Sequence, residues 1–397
     1  MKSTSRIILL LIIISILCGI IITTVKYSSI FARADTSEQD SADTPSSVPS
    51  GSWPMFHGEP SLRGMAPGKL SDSPKFKWKF RTDGAINSSA AVQDGRVYVG
   101  SIDEKIYCLD LTNGEEIWSF QTDDSVEASP CVLNGSVFVG SSDSFLYALD
   151  AETGDLKWKY ETEAKILGAA NWSLSPEGDK TWILFGSYDN KLYCVDSVSG
   201  ELVWAYETES YINGTPGIAK GMAVFGGCDE MAHVISIATG EEVAEIEAGS
   251  YIAGSPALDG KYAYVGSYGG EFMAVDIIEG KTLWSYGDGE SPFFSSPAVD
   301  ETRVVFGARD KRLHCLERST GELLWTFETR GNVDSSPVIC DGKAVVGSDD
   351  GRLYIVRLSD GEGLWSYEIG EAISGAPAIV NGIIIIGSED GYLYAFQ

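Results

Sequence analysis

The sequence predicts an all-β fold, an eight-bladed propeller of four-stranded antiparallel blades. Three observations predict it. A Gly-Ser landmark at Gly347-Ser348 has relatives at Gly100, Gly140, Gly186, Gly226, Gly266, Gly307 and Gly387, spaced 40, 46, 40, 40, 41, 40 and 40 residues apart, a period that suits four short strands. Each copy divides into four runs separated by turn residues. The array also ends a strand short at its C-terminal side and begins a strand early at its N-terminal side.

The copy from Val126 to Thr162 shows the four runs in order. VEASPCV ends at Asn134-Gly135, a tight-turn dipeptide whose glycine supplies positive φ. SVFVGSS alternates small or polar residues with β-branched and aromatic ones, as a half-buried strand does. Asp143-Ser144 turns the chain into FLYALD, and the turn at Gly154 leads to DLKWKYET. A four-stranded sheet cannot bury both faces alone, and stacking such sheets round an axis solves this with few exposed edges.

The outer run carries a tryptophan at Trp118, Trp158, Trp204, Trp284, Trp325 and Trp365, with Ala244 in the fourth copy. A wide indole at a fixed place reads as a wedge docking blade on blade. The last copy stops at Gln397 after three runs, whereas KFKWKFRT, with Trp78, precedes the first inner run. The N-terminal strand is therefore expected to complete the last blade and close a ring over residues 76–397.

Upstream, Lys2 and Arg6 precede Ile7–Val25, nineteen uncharged and mostly apolar residues, close to a membrane span. Residues 1–34 are expected to be a signal anchor, giving a single-pass membrane protein with its propeller in the periplasm or extracytoplasmic space. The alternative is a signal peptide cleaved near Ala34, in Ala32-Arg33-Ala34, with secretion of the body. Residues 35–51, DTSEQDSADTPSSVPSG, form a polar, disordered linker. In residues 52–75, Trp53 and Phe56 need burial, so the segment is expected to pack on the ring. His57 has no nearby partner and no metal signature.

The phrase LYALDAETGDLKW resembles the repeat of quinoprotein (PQQ-like) β-propellers, in which a small-x-Asp-x-x-Thr-Gly-x-x-x-Trp string docks one blade on the next. The resemblance spans the eight copies, and Trp53-Pro54 with Phe56 is similar to the lead-in of exported bacterial propellers of this type. Short loops behind an export signal resemble the outer-membrane assembly factor B (BamB-type) branch. That resemblance implies a non-catalytic scaffold whose partners are cell-envelope proteins or envelope polymer, with no cofactor. The wider family implies an alternative, an alcohol- or sugar-oxidising enzyme holding PQQ and Ca²⁺ beside two adjacent cysteines, or a sensor of small sugars or polyols. This chain has no Cys-Cys pair.

Function is sought where the copies differ. Three residues before the repeated proline stand Asn87, Glu127, Leu167, Asn213, Ala253, Phe294, Asp334 and Ser374, each preceded by an apolar residue: Ile86, Val126, Ile166, Ile212, Ile252, Phe293, Val333 and Ile373. Strand alternation puts the two sets on opposite faces, the apolar set between blades and the variable set at the channel mouth. There Glu127 and Asp334 would bind a cation or polar ligand, or simply line a water-filled channel. Blade four gathers Cys228, Asp229, Glu230 and His233, types that bind transition metals, although divergence of one blade accounts for them as well. Tyr251, Phe293 and Phe294 are expected at the same rim, as a patch that docks a peptide or sugar or, alternatively, as core packing. Arg309, Lys311 and Arg312, with Arg303 and Arg318, break the acidic background as a second candidate partner surface, or as a solvated turn balancing Asp310 and Glu317.

A net charge of −28 excludes a nucleic-acid partner, whose phosphates need a basic footprint. Cys108, Cys194 and Cys315 occupy one repeat position in non-adjacent blades, Cys131 and Cys340 lie in other strands, and they read as buried small hydrophobes rather than a disulfide framework. Nothing in the spacing calls for more than a monomeric propeller.

Overall fold

In the computed structural model, residues 51–287 and 289–397 are described. The expected membrane-spanning helix within residues 1–34, and nearly all of the 35–51 linker, lie outside them. The described chain forms eight antiparallel sheets. Its elements are all strands, and among the described residues no helix is long and apolar enough to cross a membrane.

Each blade runs from the axis outward as an inner, second, third and outer strand. In blade one these are Ala91–Gln93, Arg96–Ser101, Lys105–Asp110 and Glu116–Gln121. The outer strand of blade eight is Phe76–Arg81, paired antiparallel with Tyr392–Phe396, so the N-terminal strand closes the ring as the repeat arithmetic requires. The long second interval is absorbed in blade three, where residues 175–180 lengthen the turn between Asn171–Leu174 and Thr181–Gly186.

Two interlocks explain the repeated residues. The landmark glycine lies on the second strand, where the apolar residue entering the next blade presses on it. A Cβ at Gly387 would sit 2.3 Å from Ile86 Cγ2, across the seam where the chain's two ends meet. All eight of those apolar residues are buried, from Ile86 at 0% to Phe293 at 4% exposure, and each is worth roughly 1.5–3 kcal/mol of burial. Further out, each wedge indole lies on the turn of the following blade. A Cβ at Gly154 would fall 2.7 Å from Trp118 Cδ2, and Trp118 Nε1 donates to the Ala151 carbonyl at 3.3 Å.

Hydroxyls tie the inner strands together. The backbone N–H of Ser296 donates to Ser336 Oγ at 2.9 Å, that of Ser255 to Ser296 Oγ at 2.8 Å, and that of Ala376 to Ser89 Oγ at 2.8 Å across the closing seam.

The lead-in makes almost a full circuit of the axis. Trp53 pairs with Val92 in blade one, and the Pro54 carbonyl accepts from Val132 in blade two. The Pro60 carbonyl accepts from Asn171 Nδ2 in blade three and from the Ile218 N–H in blade four. Ser61, Arg63 and Gly64 accept from Leu258, Val299 and Ile339 in blades five to seven. Met65–Ala66 then pairs in parallel with Ile339–Cys340. All these contacts fall where the inner strands end, so this segment caps one end of the channel, called here the lower face. Its apolar residues are held inside, with Trp53, Met55 and Leu62 each at most 1% exposed.

Candidate functional site at the open mouth of the ring

At the opposite, upper end, the turn between second and third strands meets the loop that leads into the same blade. They meet by one repeated bond. The N–H of the residue two beyond the landmark glycine donates to the carbonyl of the residue just before the buried apolar one. Tyr188 donates to Lys165, Cys228 to Tyr211, Tyr268 to Tyr251, Arg309 to Pro292 and Asp349 to Asn332, all at 2.8 to 3.1 Å. The mouth is thus a ring of backbone pairs whose side chains differ from blade to blade.

Behind it lies a cavity of about 160 Å³ with Phe56 of the lead-in as its floor. Asn87, Leu167, Asn213, Ala253, Phe294 and Ser374 line it, six of the eight variable positions. The other two stand at the rim. Asp334 takes Arg309 in a bidentate pair, 3.1 Å to Nε and 2.7 Å to Nη2, so it is not free to hold a cation in the way expected of it. Glu127 stands near Tyr188, whose phenol is pushed up by burial and then by neighbouring Cys228 and Glu127.

The rim is chemically divided. Over blades three to six it is aromatic. Tyr188 and Tyr211 stack with centroids 5.0 Å apart, with Lys165 Nζ 4.5 Å from the Tyr188 ring centroid. Tyr251 and Tyr268 stack at 4.4 Å, Phe294 meets Tyr268 edge-on at 5.4 Å, and the Arg309 guanidinium lies 3.8 Å over Phe294. Tyr211 and Tyr268 remain exposed. Over blades seven and eight the rim is acidic. Burial, then Asp334 and Glu389, push the Asp349 carboxyl above its usual range, while Asp334 clamps Arg309 as a cation.

Phe293 is the clearest correction. Expected at the docking rim, it is 4% exposed and packs on Phe306 at 5.2 Å. It belongs to the apolar set between blades, and strand alternation leaves the rim to Phe294. The basic patch also divides. Arg309 is at the mouth, and Lys311 and Arg312 are exposed further along the same turn. Arg303 lies at the other end of the second strand, and Arg318 pairs with Asp259 at 2.7 Å, near Arg63 and Glu59 on the lower face.

The blade-four cluster also rearranges. Asp229 Oδ2 lies 3.0 Å from His233 Nε2, but Cys228 turns towards the mouth, where Asn213 Nδ2 donates to its sulfur at 3.0 Å. Glu242 and Glu245 take its place beside His233. His57 is 1% exposed, with Nδ1 3.0 Å from the Leu62 carbonyl oxygen, inside the lead-in. The wedge tryptophans dock blades: Trp78, Trp118, Trp158, Trp204, Trp284 and Trp325 donate Nε1 to the next blade's turn, and Trp365 packs edge-on to Phe396 at 5.6 Å.

Sequence reasoning passed over Lys165, Tyr188, Tyr211 and Tyr268. A signal was present, because the position two beyond the landmark glycine varies round the ring as Ile102, Ser142, Tyr188, Cys228, Tyr268, Arg309, Asp349 and Glu389.

The family model described as outer membrane protein assembly factor BamB matches residues 75–176, 166–287 and 229–397, together the whole ring. Among solved structures, BamB from Moraxella catarrhalis is 22% identical with a TM-score of 0.66, over 80% of this chain and 96% of that one. The quinohemoprotein alcohol dehydrogenase from Comamonas testosteroni is 14% identical with a TM-score of 0.75, over 87% of this chain and 80% of that one. The computationally designed Ika8 protein has a TM-score of 0.72 at 19% identity, over 81% of this chain and 99% of that one. At these identities the likeness to the solved structures shows the fold. No curated protein sequence matches the chain significantly.

Proposed function

The chain belongs to the outer membrane protein assembly factor BamB family, and from that membership we propose that it is a non-catalytic, membrane-tethered scaffold that grips envelope proteins at the upper mouth. The observation that carries this reading is the exposed Tyr211 and Tyr268, with Arg309 seated on Phe294 beside them. Tyrosine and arginine are the residue types that anchor protein interfaces, because they offer large rigid area with a polar tip. The acidic arc beside them favours a partner segment that brings aromatic or apolar residues to blades three to six and a cation to blades seven and eight. The tether is residues 7–25, which would place the ring outside the cytoplasm.

The family's other chemistry finds less support. A PQQ site would need cations for three carboxylates and a carboxylate set for calcium. The residues lining the cavity carry no charge, and its volume of about 160 Å³ is below the roughly 300 Å³ at which small-molecule pockets begin. The residues do not fit the quinone.

Photo-crosslinking in the intact envelope tests the scaffold. A crosslinker at Tyr268 is expected to give a discrete protein adduct that is lost on Arg309→Glu, while one at Val198, 86% exposed on the lower face, does not give it. Equal adducts from both faces, or none from the mouth, would reject the mouth as the grip. Dye-linked alcohol oxidation on adding PQQ and Ca²⁺ would reject the non-catalytic reading itself.

A further inference from the structure

His233 is on the third strand of blade four, Met231–Ser236, where most blades carry a tyrosine. Those phenols donate to a turn aspartate, as Tyr147 does to Asp143 at 2.7 Å. In blade four the imidazole takes over that latch through Nε2, 3.0 Å from Asp229 Oδ2. Nδ1 therefore faces the outer strand.

Blade six supplies an internal comparison. His314 also latches through Nε2, 3.0 Å from Asp310, but its Nδ1 meets the hydroxyl of Tyr286 from the preceding blade at 3.1 Å. The equivalent hydroxyl beside blade four, on Tyr206 of blade three, donates instead to Glu242 at 2.8 Å. His233 Nδ1 is left 3.0 Å from Glu242 Oε1. Glu245 stands directly across the strand pair from His233, where the other blades place serine, threonine, alanine or lysine. One donor atom from each of His233, Glu242 and Glu245 fits within 4.8 Å.

We propose that His233 Nδ1, Glu242 and Glu245 form a binding site for a divalent transition metal such as zinc on the outer wall of blade four. One imidazole nitrogen and two carboxylates are donors that zinc accepts, with water completing the shell. Asp229 performs the outer task of such sites, holding Nε2–H so that the Nδ1 lone pair is presented to the metal. The His233 side chain is 3% exposed and that of Glu242 32%, so the pre-oriented ligand lies under carboxylates that solvent reaches. A metal would also replace the proton that the close Nδ1–Glu242 contact otherwise requires.

The test is calorimetric titration of the full chain, stripped with chelator, with Zn²⁺ against a background of excess Mg²⁺ that occupies ordinary surface carboxylates. One zinc per chain is expected, at least tenfold weaker in Glu245→Gln and in Glu242→Gln. Zinc should also raise the Tm of the native chain but not of the variants, whose metal-free Tm values report whether they fold normally. With Co²⁺ the native chain should show visible d–d bands that Glu245→Gln lacks. Absence of saturable binding, or affinity unchanged in both variants, overturns the site and leaves a proton bridging imidazole and Glu242. The mouth plays no part, so either proposal survives failure of the other.

Discussion

His57 sits in the buried lead-in with Nδ1 bonded to the Leu62 carbonyl and Nε2 meeting no partner among the described residues. Burial holds its pKa down to about 4, only partly offset by that carbonyl. An unfolded chain takes up the proton near pH 6.5, so the native state loses stability as pH falls from about 6.5 to about 4, by up to a few kcal/mol. His57→Asn, which suits the φ of 56° found there, should flatten that slope. The check is thermal unfolding at pH 7 and pH 5, and an undiminished slope in the variant would clear His57 of the effect. Asp349 behaves in the opposite sense. Its carboxyl is held above the usual range by burial and by the nearby carboxylates, so ionising it costs stability at neutral pH. Asp349→Asn should raise Tm at pH 7, and the gain should fade as pH falls into the carboxylate range. If the partner brings a cation to this arc, the same variant binds it more weakly.

Strands and seams follow one rule eight times, which is why this level was legible. A landmark glycine, an apolar residue one blade on and an outer tryptophan suffice to place each strand and to close the ring through Phe76–Arg81. Gly140 shows how tight the rule is, since a Cβ there would fall 2.2 Å from Ile166 Cγ2. Gly140→Ala is expected to cost about 2 kcal/mol or more, read from urea denaturation, and a neutral result would mean that the seam yields. Position along the repeat told less about side chains at the mouth. Phe293 and Phe294 are adjacent and alike in chemistry, and only strand alternation sends one inside and the other to Arg309. Tyr188 and Tyr268 owe their place to a backbone bond between a blade's own turn and the loop that leads into it, a pairing visible once the blade is folded. The His233 cluster was half legible, since Asp229 is four residues away but Glu242 and Glu245 arrive from the next strand.

At the scale of the whole ring, the lead-in couples all the blades it touches. Its aromatics announced burial, but its circuit is written in backbone bonds and left no periodic trace in the sequence. Deleting residues 52–73 should lower Tm and speed hydrogen exchange at Val132, Ile218, Leu258, Val299 and Ile339, whose N–H groups it accepts from. Unchanged exchange at those amides would show that the inner strands are held without it.

The closing seam also has a consequence in time. Synthesis makes the strand Phe76–Arg81 before any blade and its partner Tyr392–Phe396 after all of them, so one edge of the nascent sheet waits while nearly the whole chain is built. A product ending early within the last blade keeps unpaired edges on both sides of the gap, open to proteases and to strand addition from neighbours. The fold therefore acts as a completeness check on its own translation: only a chain carried to its last strand hides both edges.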